Sequence, residues 1–292
     1  MNASHSSSQA VNYFAKELSW LSFNERVLQE AKDKSNPIIE RMRFLGIYSN
    51  NMDEFFRVRV ADVKRRILLN KIPDANFDED EILLHQIQSK VLQLGKKFNQ
   101  IHKDILNDLN EHNIHVELPE KLSEFHLTWL KKFFHDNVLQ HILPILLSEK
   151  KDYSDQINDT MTYLFVEMTN QKSHYAMMEV PTDRVSRFVI LPPEKTRRHK
   201  TIVMLDDIIA YFIRDVFSSF FSFDDIQCYA IKLTRDAEYN LDDELEEGLL
   251  DKMSKGLKQR ISAEPVRLVY DESMPDEMLK VMKKRLNISQ HD

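Results

Sequence analysis

The spacing of hydrophobic residues in the first third of the chain predicts amphipathic helices. Trp20, Phe23 and Val27 lie at positions i, i+3 and i+7, which is the spacing of one helix face, and Ser19 before them is a typical N-terminal cap. Pro37 fits the first turn of a second helix, where a missing backbone N–H leaves no hydrogen bond unmade. The apolar positions of this second helix are Ile38, Met42, Leu45, Met52, Phe55, Val63 and Ile67.

The third predicted helix has the most regular pattern. Its apolar residues follow one another at intervals of four and three: Ile87, Val91, Leu94, Phe98, Ile101 and Ile105. This alternation is typical of the seam between helices packed in a bundle. Pro73 and the acidic stretch Asp78–Glu81 predict a turn before it. We therefore predict a helical-bundle domain over residues 13–112, preceded by a disordered lead over residues 1–12.

After about residue 112 the pattern changes to a mixture of strands and helices. The predicted strands are Tyr163–Met168, Tyr175–Val180, Phe188–Leu191, Ile226–Leu233 and Val266–Tyr270. The predicted helices are Leu122–Gln140, Asp206–Phe220, Asp242–Lys258 and Pro275–Leu286. Because the two types do not alternate in a regular βαβ rhythm, we predict a mixed α+β domain over residues 113–292 and an α+β fold class for the chain.

Composition excludes several classes of protein. The only four glycines, at positions 46, 95, 248 and 256, are too far apart for a Walker A loop or a GxGxxG fingerprint. A net charge of −7 disfavours nucleic-acid binding, although one local groove could still be basic. The single cysteine, Cys228, excludes an internal disulfide and suits a cytoplasmic protein. No apolar run is long enough to span a bilayer, and the first ten residues lack the pattern of a secretory signal.

Two adjacent asparagines, Asn50 and Asn51, lie inside the second predicted helix. Asparagine is a poor helix former because its amide competes for backbone groups. A carboxamide both donates and accepts hydrogen bonds, which suits the edge of a purine base. The residues alone leave two interpretations open, a nucleotide contact and a solvent-exposed or helix-packing pair.

Basic residues concentrate in two segments. One group lies on the second helix and consists of Arg57, Arg59, Lys64, Arg65 and Arg66; the other lies in a predicted loop and consists of Lys195, Arg197, Arg198, His199 and Lys200. Each group could contact a polyanion or form a solvated surface, and the loop group could also bind a partner. Arg235 follows a predicted strand beside Asp236 and Glu238, and is either ion-paired or channel-lining.

The histidines do not predict a metal site. His112 and His115 have a spacing that can chelate zinc, but a zinc site needs further ligands besides this pair. The segment Glu111–Leu118 is interpreted as a loop without an obvious third ligand, and the pair His135 and His141 gives no stronger signal.

Five long, non-repetitive segments carry a family resemblance. They are KELSWLSFNERVLQEA at 16–31, RMRFLGIYSNNMDEFFRVRVADVKRR at 41–66, LPPEKTRRHKTIVMLDD at 191–207, LTRDAEYNL at 233–241 and LKQRISAEPVRLVYDESMPDEMLK at 257–280. In sequence and order they are similar to segments of bacterial polyphosphate kinases of the histidine-phosphorylating type. The resemblance extends over nearly the whole chain from about residue 13.

The resemblance implies a helical domain that binds the adenine of ATP, a head domain used in dimer contacts, and two C-terminal catalytic domains. The second asparagine of the family's SNN(L/M)DEF segment contacts the nucleotide, and that residue is Asn51 here. Candidate polyanion-lining residues are Arg57, Arg59, Arg65, Arg66, Arg197, Arg198 and Arg235. The implied partners are ATP, polyphosphate and a second copy of the chain. Peripheral membrane association of the parent enzyme is compatible with this resemblance.

The sequence also departs from the family. It ends at ISQHD, where a family member would continue into the catalytic domains, and no histidine lies in a segment resembling the catalytic-histidine motif. We therefore expect no catalytic residue in this chain, no activity from it alone, and Mg²⁺ only in the full-length enzyme. The alternative is a stand-alone, non-enzymatic module that binds a nucleotide or dimerises.

Overall fold

The computed structural model describes residues 15–69, 78–149, 151, 153, 156–195, 198–236 and 265–288. These residues group into two compact units. The first draws on 1–52 and 62–103, and the second on 53–61 and 104–292. Helices fill the first unit and a mixture of strands and helices fills the second, which confirms the predicted α+β fold class. The lead at 1–12, Pro73 and the helix predicted at 242–258 lie outside the described residues. The acidic stretch Asp78–Glu81, which was predicted to belong to a turn, is helical.

The helices of the first third follow the predicted order. They are α1 (Lys16–Lys32), α2 (Ile38–Glu54), a π-helical segment (Phe55–Val60), α3 (Ala61–Leu69) and α4 (Asp78–Glu111). α2 begins at Ile38, one residue after the Pro37 that was predicted to lie in its first turn, and the carbonyl of Pro37 accepts from the backbone amide of Arg41 at 3.0 Å. α1 begins three residues before the predicted cap, and the backbone amide of Ser19 donates to the carbonyl of Ala15 at 3.1 Å. The prediction that Ser19 caps this helix was therefore wrong.

The buried face of α1 also differs from the prediction. Phe23 is 63% exposed, whereas the buried stripe follows the same helical spacing one residue along and consists of Glu17, Leu21, Asn24, Leu28 and Ala31. The large aromatic residues favoured the wrong face, because the correct stripe contains a polar asparagine. In α2 and α4 the predicted stripe was correct at Leu45, Met52, Ile87, Leu94, Ile101 and Ile105.

Two sheets form the centre of the second unit. The larger is antiparallel, has the order β2-β4-β3-β7-β8, and consists of β2 (Ile145–Leu147), β3 (Tyr163–Thr169), β4 (Ser173–Glu179), β7 (Asp225–Arg235) and β8 (Pro265–Tyr270). The smaller has the order β1-β6-β5 and consists of β1 (Ile114–Val116), β5 (Phe188–Ile190) and β6 (Lys200–Met204). β1 and β6 are parallel, and β5 and β6 are antiparallel.

All five predicted strands are present, but three others were missed. β1 lies within the segment that the sequence predicted to be a loop, and β2 and β6 were not predicted. β1 has only three residues and pairs in register from Ile114 opposite Lys200. A strand this short, with a partner so distant in sequence, has no local period by which to detect it.

Helices of the second unit cover both faces of the larger sheet. They are α5 (Glu124–Phe133), α6 (Leu205–Tyr211), α7 (Ile213–Phe217) and α8 (Asp276–Arg285). Leu164 and Val166 of β3 pack in one buried cluster with residues of α5, α6 and α7, and Tyr163 and Phe165 pack in another with Met282 of α8. Alternate residues of a strand point to opposite faces, so a sheet buried on both sides explains the continuous apolar run of β3.

None of the helices in the described part of the chain combines the length and the apolar character needed to cross a membrane.

Candidate functional site

Asn51 lies near the end of α2 and is held by a buried partner. Its side-chain amide donates a hydrogen bond of 2.9 Å to Oδ1 of Asn24 on α1. Asn24 is fully buried, and its own amide lies 3.4 Å from the carbonyl of Tyr48. Asn51 is only partly buried, while its neighbour Asn50 is exposed. The second asparagine of the pair is therefore the oriented one.

The local sequence explains this arrangement. Asn24 takes a place on the buried stripe of α1 that an apolar residue would normally fill. A buried amide costs roughly 1–3 kcal/mol when its hydrogen bonds are not made. Asn51 and the Tyr48 carbonyl offset this cost, and in return the Asn51 carboxamide is fixed. Among the described residues no hydrogen bond is formed to its Oδ1, so an acceptor remains on a partly exposed, oriented amide.

An aromatic stack joins α2 to α4 within the same unit. The ring of Tyr48 stacks on Phe98 with centroids 5.6 Å apart, and Phe98 stacks on His102 at 6.4 Å. Burial lowers the pKa of His102 below its ordinary value. The imidazole is therefore mostly neutral at pH 7 and adds little charge to this part of the helical unit.

The candidate arginines of the second predicted helix are mostly engaged with carboxylates. Nη2 of Arg57 lies 3.3 Å from Oδ2 of Asp159. Arg66 bonds to Asp80 at 2.8 Å and also to Asp62, and the hydrogen bond with Asp80 raises the pKa of Arg66. Nη2 of Arg65 is 3.8 Å from Asp62. Arg59 is exposed.

The remaining candidates differ in burial. Arg198 is exposed, and Arg197 lies outside the described residues. Arg235 is only 4% exposed at the end of β7. Arg59 and Arg198 are thus the candidates with side chains most accessible to a polyanion in the described part of the chain.

Sequence reasoning missed Asp53 as an organising residue of the second unit. Its two carboxylate oxygens bond to Nζ of Lys232 on β7 at 2.6 Å and to Nη1 of Arg267 on β8 at 2.7 Å. The guanidinium of Arg267 also lies 4.9 Å from the ring centroid of Phe56. The partners of Asp53 are about 180 residues or more away along the chain, so no local pattern could have identified the pairing.

Comparison with the sequences of known proteins identifies the family to which this chain is similar. The sequence model described as "Polyphosphate kinase N-terminal domain" matches residues 13–117, and that described as "Polyphosphate kinase middle domain" matches residues 126–292. The chain is 48% identical over 281 residues to the polyphosphate kinase of Yersinia pestis, covering 96% of this chain and 41% of that protein. It is 47% identical to that of Escherichia coli strain K12, with the same two coverages.

A solved structure agrees with these relatives. The crystal structure of polyphosphate kinase from Porphyromonas gingivalis matches with a TM-score of 0.76 and 32% identity, covering 97% of this chain and 39% of that chain. The chain thus spans about two fifths of the length of the relatives that it matches. Two family models in succession, and relatives matched over nearly every residue, show that the chain belongs to the polyphosphate kinase family.

Proposed function

We propose that this chain is the nucleotide-binding and assembly part of a polyphosphate kinase that reversibly transfers the terminal phosphate of ATP to polyphosphate. In this proposal Asn51 contacts the adenine, exposed arginines contact the phosphate chain, and the second unit joins two copies. The observation that carries the nucleotide contact is the partly exposed Asn51 amide fixed by the buried Asn24. An amide held in one orientation loses less entropy on binding a base edge.

The chemistry of the transfer is assigned to other parts of the enzyme. Transfer through a phosphohistidine replaces one difficult step by two easier ones, and its catalysis depends on positioning and on neutralising charge. We assign no catalytic residue and no Mg²⁺ ligand for this step to the present chain, and we expect the chain alone to be inactive. We also propose that the protein is located in the cytoplasm.

The nucleotide contact is tested in the intact enzyme that contains this segment. Asn51→Ala should raise KM for ATP roughly tenfold, as expected for the loss of about 1.4 kcal/mol of binding, with a much smaller change in kcat. The matched control is Asn50→Ala, which removes the adjacent exposed amide and should leave KM unchanged. An unchanged KM in Asn51→Ala would remove the proposed contact.

The expectation that the chain alone is inactive is tested with the isolated 292-residue chain. Incubation with ATP labelled in its terminal phosphate, Mg²⁺ and a polyphosphate primer should give no labelled polyphosphate. The intact enzyme should produce labelled polyphosphate under the same conditions. Synthesis by the isolated chain would contradict the assignment of catalysis elsewhere.

A further inference from the structure

Three potential metal ligands lie together where β1 pairs with β6. Oε1 of Glu117 is 3.7 Å from Nδ1 of His115 and 3.5 Å from Nε2 of His199. One ligand atom from each of the three residues lies within 4.8 Å of the others. The two imidazole rings are stacked with centroids 3.8 Å apart. All three residues belong to the second unit.

The strand pairing fixes this cluster. The backbone amide of Lys200 donates to the carbonyl of Asn113, and that of Glu117 donates to the carbonyl of Ile202, both at 2.9 Å. These bonds hold the two strands together on either side of the cluster. Since residues two apart on a strand share a face, His115 and Glu117 project to the same side. His199 directly precedes β6 and completes the group.

The donor set suits Zn²⁺. Imidazole nitrogen and carboxylate oxygen are common zinc ligands, and tetrahedral coordination at about 2.0–2.1 Å places neighbouring ligand atoms about 3.3 Å apart. The separations of 3.5 and 3.7 Å are within a few tenths of an ångström of that value. The side chains of His115, Glu117 and His199 are 30%, 16% and 20% exposed, so the site is sheltered but open to an entering ion.

A polar atom at the cluster also lacks a hydrogen bond. Nε2 of His199 is buried and makes no hydrogen bond among the described residues, although Glu117 lies within ion-pair distance. Leaving a buried polar atom unpaired is costly, and an ion would satisfy it. Because the rings are nearly parallel, binding requires them to tilt until both lone pairs converge on the ion. We expect His115 to make this rotation, because its side chain is the more exposed of the two imidazoles.

We infer that His115, Glu117 and His199 form a Zn²⁺ site with three protein ligands and water as the fourth. The bound ion clips β1, the strand after α4, to β6, which lies more than 80 residues further along the chain. Zn²⁺ that binds only the folded state stabilises that state, so we expect the ion to strengthen the pairing of β1 with β6. The sequence prediction of no metal site depended on the missing third ligand; Glu117 belongs to the same segment as His115, and the strand pairing brings His199 to them.

The test uses the 292-residue chain freed of metal by a chelator and titrated with ZnCl₂ against a chromophoric competitor. We expect one tight equivalent per chain and an increase of Tm on adding Zn²⁺. His115→Ala and His199→Ala should each weaken this binding at least tenfold, since each loses a direct ligand. His174→Ala, which removes an exposed histidine from β4, should bind as tightly as the unchanged chain.

Glu117→Gln keeps the shape of the side chain and provides a second test if an alanine variant does not fold. It should retain the Tm of the metal-free chain but lose most of the increase with Zn²⁺. Co²⁺ in place of Zn²⁺ should give the visible absorption of a four-coordinate ion, and this absorption should be lost in the His199→Ala variant. Equal zinc affinity in the unchanged chain and in the His115→Ala, His199→Ala double variant would overturn the site.

Discussion

Asn24 is a buried polar residue that links α1 to α2 and fixes the orientation of the partly exposed Asn51 side chain. It donates to the Tyr48 carbonyl and accepts from Asn51, so its amide is satisfied on both sides. Replacing it by alanine leaves the Tyr48 and Asn51 groups without this partner. The effect therefore reaches Asn51 without altering that residue.

We expect Asn24→Ala to lower the free energy of unfolding by roughly 1–3 kcal/mol, because it removes two hydrogen bonds and leaves a small cavity. Urea denaturation of the isolated chain measures this change. Gln29→Ala, at an exposed position of the same helix, should change it by no more than about 0.5 kcal/mol. Equal effects in the two variants would show that the buried amide does not contribute to stability.

Asp207 provides a second prediction at the scale of a residue. Burial, followed by the charges of Asp206, Glu120 and Asp271, raises its pKa to about 6. Between the ordinary pKa of 3.8 and about 6, the folded chain holds a proton that the unfolded chain has released, so stability falls as the pH rises through this window. Above pH 6 the folded chain carries an unfavourable buried charge.

Asp207→Asn removes that charge and should raise Tm at pH 7.5 by roughly 2–4 °C, equivalent to about 1 kcal/mol after allowing for partial exposure. About one pH unit below 3.8 the aspartic acid is protonated in both states, so the two proteins should have similar Tm values there. Scanning calorimetry at both pH values measures the difference. A variant that is no more stable at pH 7.5, or a gain that is equal at both pH values, would contradict this cause; Asp183→Asn, at an exposed position, is the control.

At the scale of elements, the predictions that succeeded are those whose signal is local. α4 was predicted correctly because Ile87, Leu94, Ile101 and Ile105 repeat along one helix and the same residues form its buried face. The buried face predicted for α1 was wrong because hydrophobicity alone ranks Phe23 above Asn24. The asparagine is accommodated in the interior because Asn51 on α2 hydrogen-bonds to it.

The parts that could not be predicted depend on pairing between distant segments. β1 is defined by its register with β6, and the grouping of His115 with His199 follows from that register. Similarly, Asn51 could be singled out from the residues and the resemblance, but its partner Asn24 could not. The sequence thus indicated the candidate residue Asn51, whereas the hydrogen bond that orients its side chain became apparent only in the structure.

The pairing of Asp53 with β7 and β8 gives a prediction for an element junction. Lys232 and Arg267 present two positive charges from neighbouring strands, and the Asp53 side chain between them is only 14% exposed. Removing the carboxylate leaves these cations facing each other. Asp53→Ala should therefore cost roughly 1–3 kcal/mol of unfolding free energy.

Chemical denaturation measures this cost, and Glu54→Ala, which removes the exposed neighbouring carboxylate, is the matched control. The double variant Asp53→Ala, Lys232→Ala should be more stable than the sum of the single changes predicts, because the second change removes one unpaired cation. Additive effects would mean that the two residues do not interact energetically.

For the whole molecule, charge is distributed in a way that bears on the proposed substrate. The chain has a net charge of −7, and Arg57, Arg65 and Arg66 lie in ion pairs with its own carboxylates. These three arginines are therefore available to a polyanion only if an existing pair is broken. We expect the isolated chain to bind polyphosphate weakly, through contacts that salt screens readily.

The salt dependence of that binding gives the number of cations involved. For single-stranded nucleic acid, a flexible chain of phosphates, the logarithm of the affinity falls with the logarithm of salt concentration by about 0.7 for each charge neutralised, and we expect a similar slope for polyphosphate. If the exposed Arg59 contacts the phosphate chain, Arg59→Ala should reduce this slope by about 0.7, as measured by fluorescence anisotropy of labelled polyphosphate. Arg26→Ala removes an exposed arginine from α1 and the same net charge, and should leave the slope nearly unchanged. Equal slopes in the two variants would mean that Arg59 acts only through net charge, and the contact proposed for it would be withdrawn.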